Sequence, residues 1–86
     1  MRKKIDPREF GLHHATHLEK TGENDYAIVI DRKSRIVMKD GQTIQKKADK
    51  IKASFPQANV ILETTAPVCS KTRRFLAERG VEVQLL

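Results

Sequence analysis

Cysteine is nearly missing from this sequence: Cys69 stands alone in 86 residues. A single thiol excludes an internal disulfide and makes a cytoplasmic location the expectation. Aromatic residues are also scarce, at 5% with no tryptophan. The core must therefore rest on Ile, Val, Leu and three Phe, and sequence-specific reading of single strands by base stacking has little to work with. No apolar run approaches the ~18 residues of a membrane helix. The basic residues among 1–7 are followed by no apolar stretch, so no secretory signal is expected. Repeats, linkers and low-complexity stretches are lacking too. Residues 1–86 read as one small α/β domain that can bury one core.

Positive charge, in contrast, is plentiful. The formal net charge is +6, and it is unevenly placed. Residues 32–52 hold Arg32, Lys33, Arg35, Lys39, Lys46, Lys47, Lys50 and Lys52 against Asp40 and Asp49. Residues 9–31 hold Glu9, Glu19, Glu23, Asp25 and Asp31 against Lys20. A basic surface polarised in this way favours phosphate-bearing partners, nucleic acid first among them.

Residues 5–21 predict a helix. Asp6 stands as its cap, Pro7 in its first turn, Glu9 three residues after the cap, and Ile5 and Phe10 as a hydrophobic staple, with Gly22 as its end. On it Phe10, His14, His17 and Leu18 would share a face, with His13 and His17 four apart. Lacking a complementary ligand pair, these histidines are expected to line the core edge and hold no metal. Tyr26-Ala27-Ile28-Val29-Ile30 predicts a buried strand, and Arg35-Ile36-Val37-Met38-Lys39 a second strand returning as a hairpin. Asp40-Gly41 breaks it. A helix over 42–55 follows, with Ile44, Ala48, Ile51 and Phe55 on one stripe and Lys46, Lys47 and Lys50 opposite. Residues 60–64 predict a third strand. Residues 68–79 predict a helix with Val68, Thr72, Phe75 and Leu76 inward, ended by Gly80, and residues 81–85 alternate as an edge strand.

The expected architecture is thus helix-β-β-α-β-α-β, a four-stranded mixed sheet in the order 2-1-3-4 or 1-2-3-4 with helices packed on it. Right-handed crossovers make its last three strands parallel. Such a sheet gathers Lys39, Thr64, Thr65, Ser70 and Lys71 at the carboxyl ends of the strands, where two helices begin with free N–H groups. An anion or phosphate site is the expectation there; equally, Thr65 or Ser70 serves only to cap its own helix.

Three resemblances bear on activity. Thr65-Ala66-Pro67-Val68-Cys69-Ser70-Lys71-Thr72 resembles the phosphate-binding loop G-x-x-x-x-G-K-[ST], with Thr65 and Ser70 in place of both glycines; a nucleotide triphosphatase is excluded on that ground. Pro67-Val68-Cys69, followed by Phe75-Leu76 and Gly80-Val81-Glu82-Val83, resembles the first βαβ of glutaredoxin-like proteins in a permuted order. That resemblance implies a nucleophilic Cys69 at a helix start, its thiol acidified by Lys71, Arg73 and the helix, without the usual second cysteine. The opposing expectation is an inert thiol packed near Leu76. The succession of hairpin, helix, strand ending in Thr-Thr, basic helix and short strand is similar to the latter part of restriction-endonuclease-like nuclease domains. Asp31 matches their strand-borne acid, but Val37-Met38-Lys39 supplies only the lysine of their Glu-x-Lys, so the carboxylate pair for a divalent ion is incomplete.

The leading expectation is a binding domain for nucleic acid or another polyanion. Its phosphate contacts would come from Lys39, Lys46, Lys47, Lys50, Thr64, Thr65, Ser70, Lys71, Arg73 and Arg74, with no cofactor and no metal. The alternatives are a thiol-dependent redox protein using Cys69 and a module that self-associates through the edge strand 81–85.

Overall fold

The computed structural model describes residues 2–86. Its sheet opens with three antiparallel strands, β1 (Lys3–Ile5), β2 (Leu18–Lys20) and β3 (Asp25–Ile30). The chain then crosses through α1 (Met38–Ser54) to β4 (Asn59–Thr64), parallel to β3, and through α2 (Ser70–Glu78) to β5 (Val81–Leu85), parallel to β4. The result is a mixed five-stranded sheet in the order β1-β2-β3-β4-β5.

The α/β class, the mixed sheet and the two later helices match expectation; the strand count and connections do not. The helix expected over 5–21 is absent. Asp6 does cap a turn, accepting from Arg8 N at 3.0 Å, and Pro7 does open it, but only a 3-10 turn forms over Pro7–Phe10. Gly11 stops it in the left-handed region (φ 72°), a conformation glycine adopts without the Cβ penalty. The flanking residues become β1 and β2, in register as Lys3↔Lys20 and Ile5↔Leu18. His13, His14 and His17 are consequently exposed in the connecting loop and do not line the core edge.

The strand expected over 35–39 is absent as well. Ile36 makes one isolated parallel bridge to Val68, and Met38 already begins α1. Two bonds set that early start: Asp40 accepts from Val37 N at 3.0 Å and from Arg32 at 2.7 Å. Tyr26–Ile30 lies inside the sheet as expected, but its parallel neighbour is β4, and no hairpin partner follows it. The strand orders 2-1-3-4 and 1-2-3-4 both give way to this arrangement.

Two right-handed crossovers in the same direction put both helices on one sheet face. There Ile44, Ala48 and Ile51 of α1 and Leu76 of α2 pack with Leu18, Ile28, Val60, Leu62 and Val81, all buried. The other face has a polar clasp. Arg2 donates to Glu19 of β2 at 2.6 Å and, with two nitrogens, to the carboxylate of Glu63 on β4, the second bond at 2.9 Å. Ala27, on β3 between them, is fully buried. Among the described residues no helix is long and apolar enough to cross a membrane.

Candidate nucleic-acid interface

The loops that follow β3 and β4 are tied together before either helix begins. Ile36 N donates to Pro67 O at 2.9 Å and Cys69 N to Ile36 O at 3.0 Å, while Thr65 Oγ1 donates to Asp31 Oδ1 at 2.8 Å. The two helices then touch at their first turns. A Cβ on Gly41 would lie 2.7 Å from Thr72 Cγ2, so the absence of a side chain at Gly41 allows this approach. Both helix starts sit at the edge of the sheet where the parallel strands β3 and β4 end.

The expected site residues divide into groups there. Thr64 is fully buried and its hydroxyl accepts from Ala66 N at 3.0 Å. Thr65 is exposed and bonded to Asp31. Neither Thr65 nor Ser70 caps a helix: Cys69 holds the cap position of α2 without a side-chain cap bond, and Ser70 is the first helical residue. Lys39, Lys46 and Lys50 are exposed and, by their spacing along α1, share its outer side. Lys50 also donates to Gly11 O at 3.2 Å, tying α1 to the N-terminal segment. Lys47 is half-buried on a different side.

The cations of α2 separate as well. Lys71 and Arg74 line a groove of about 410 Å³ with Met38, Ser70, Phe75 and Arg79. Arg73 lies in a different recess, beside Ala77, Gly80, Glu82 and Val83 at the β5 edge. Among the described residues the ion pairs engage Arg2, Arg8, His17 and Arg32, so the α1 and α2 cations are free of carboxylate partners.

Arg79 and Met38 are groove residues that the charge pattern did not single out. The Arg79 guanidinium lies over the Phe75 ring, 3.8 Å from its centroid, and donates to Phe75 O at 3.2 Å. Their i, i+4 spacing was a usable signal, since residues so placed are neighbours on a helix. Met38 enters only because α1 begins at residue 38, about one turn before the start expected at 42.

Cys69 is half-buried. The backbone N–H groups of Thr72 and Lys71 hold its thiol below the usual range, as a helix start does for an anion, and Arg35 adds to the effect. His13 and His14 stack with ring centroids 4.3 Å apart, and His17 bonds Glu19 at 2.6 Å. Among the described residues no group of three or more metal-ligating side chains comes together.

A structure of an EndoMS-dsDNA2 complex superposes on 99% of this chain with a TM-score of 0.75. The fold is shared with part of EndoMS. EndoMS in apo form superposes on 100% of the chain with a TM-score of 0.67. Identities are 14% and 15%, and the chain spans 36% of the length of each EndoMS chain. No protein-family model and no curated protein matches the sequence.

Proposed function

We propose that this domain binds nucleic acid through backbone phosphates, using the outer surface of its two helices. One observation carries the reading: Lys39 and Lys46 of α1 and Lys71 and Arg74 of α2 are exposed, without ion-pair partners among the described residues, and presented from the same side of the sheet. Unpaired cations gathered on one surface create a positive field that attracts a polyanion. Lys47, Lys50 and Arg73 extend the positive field, and Ser70 offers a hydroxyl at its edge, whereas the Thr65 hydroxyl is engaged by Asp31. The fold shared with a protein solved on double-stranded DNA supports nucleic acid over other polyanions. On this reading the domain works in the cytoplasm, where its lone thiol stays reduced.

Anisotropy titrations of labelled duplex across a salt series test it. Counterion release gives a slope near −0.9 per phosphate neutralised, so four or five contacts give about −4. Replacing Lys46 and Lys50, or Lys71 and Arg74, by Ala should flatten the slope by ~1–2. Cys69→Ser should leave binding unchanged. Failure to bind duplex, single-stranded DNA or RNA at low salt would reduce the positive charge to a solvated surface.

A second reading, a thiol-dependent redox protein, draws on the acidified Cys69 at the start of α2. It demands that Cys69→Ser abolish activity. A role in self-association draws on β5, an edge strand paired only with β4, which ends in the exposed Leu85 and is followed by the exposed Leu86. Solution mass decides that one.

A further inference from the structure

The groove beside α2 offers more than phosphate contacts. Its 410 Å³ lie within the size range of small-ligand sites, and its walls differ in chemistry. Lys71 and Arg74, on successive turns of α2, supply cations at one end. At the other, the Arg79 guanidinium lies over the Phe75 ring and is tied by its bond to Phe75 O. Arg79 is exposed and lines the groove, so its guanidinium is accessible to a ligand there. A guanidinium held over an aromatic ring and tied to a backbone carbonyl serves as a stacking platform, and that partial ordering lowers the entropy a ligand must remove.

We propose that this groove is a nucleotide subsite for single-stranded nucleic acid, with a phosphate held by Lys71 and Arg74 and an unpaired base stacked on Arg79. The inference rests on the phosphate-binding reading above and narrows it. A base inside a duplex has both faces covered by its neighbours, so only an unpaired one can lie on the platform. Glu78, also lining the groove, repels a uniformly anionic surface but accepts a hydrogen bond from a base amino group. That choice favours a nucleotide over an acidic protein or lipid surface.

The test compares two labelled single strands of equal length, about a dozen nucleotides, one of mixed sequence and one abasic throughout. They present the same phosphates, so their affinity ratio isolates base contact. Wild type should bind the ordinary strand roughly tenfold more tightly, a modest value for base stacking at one position. Arg79→Lys keeps the charge and removes the platform. It should bring the ratio close to one, with affinity for the abasic strand and both salt slopes retained. The abasic strand, measured on the same variant, controls for any loss of folded protein. Equal wild-type affinity for the two strands would overturn the subsite and leave the phosphate reading standing, as would an unchanged ratio in Arg79→Lys. Absence of binding to either strand and to duplex would overturn both.

Discussion

Gly41→Ala puts the relation between the two basic helices to a quantitative test. Gly41 lies inside α1 and is buried. Considered locally, alanine should stabilise α1 by about 1 kcal/mol, the usual helix-interior difference. Its Cβ, however, would stand 2.7 Å from Thr72 Cγ2, with Phe75 Cδ2 next at 3.7 Å. Carbon atoms at rest keep ~3.5–4.0 Å apart, and overpacking of this kind costs ~1–3 kcal/mol. The two effects combine to a net loss of about 0–2 kcal/mol. Thr72→Ser removes the opposing methyl, so in that background Gly41→Ala should become a gain of about 1 kcal/mol. A double-mutant cycle by urea denaturation reads the difference as a coupling of ~1–3 kcal/mol. Coupling below about 0.5 kcal/mol, the level of independent sites, would show that the helices do not meet at these residues. The shared edge that brings Met38 to Lys71 would then be lost as well.

Ile51→Ala should cost about 2–4 kcal/mol, because Ile51 is wholly buried under the sheet; a urea midpoint near wild type, with unchanged m-value, would place that face in solvent. Stability should also fall on the acid side. Arg2 holds the Glu19 carboxyl below the usual carboxylate range, Arg8 does so for Asp6, and the Val37 N–H followed by Arg32 does so for Asp40. A folded pKa below the unfolded one means the stabilisation is complete above an unfolded value of about 4 and disappears as pH falls through the folded values. Urea midpoints measured from neutral pH downward should decline from about pH 5, and Glu19→Gln should make that decline shallower. A flat acid limb in wild type would contradict these bonds.

What the sequence determined by itself was local. Ile44, Ala48 and Ile51 recur at helical spacing and are buried as that period requires; the apolar run from Tyr26 to Ile30 lies inside the sheet; Asp6 does act as a cap, though of a single turn and not of the helix expected over 5–21. These features depend on neighbours within a turn or a strand, which periodicity and capping chemistry record directly. The same local signals misled where a distant partner took over. A good helix start at Asp6-Pro7 yields one turn, because Gly11 turns the chain and because residues 3–5 and 18–20 find each other as strands. Arg35–Lys39 has strand composition, yet β2 and β4 fill both places beside β3 that a hairpin partner could take, and parallel pairing spends the intervening residues on a crossover. The surface charge was equally legible as a total but not as a map. Lys46, Lys71 and Arg74 could be nominated from the sequence, whereas the splitting of Arg73 from Arg74 follows from how α2 sits between α1 and β5. The clasp of Arg2 on Glu19 and Glu63 leaves no trace in the sequence at all. Its partners lie 17 and 61 residues away, and only the order of the strands brings them within reach.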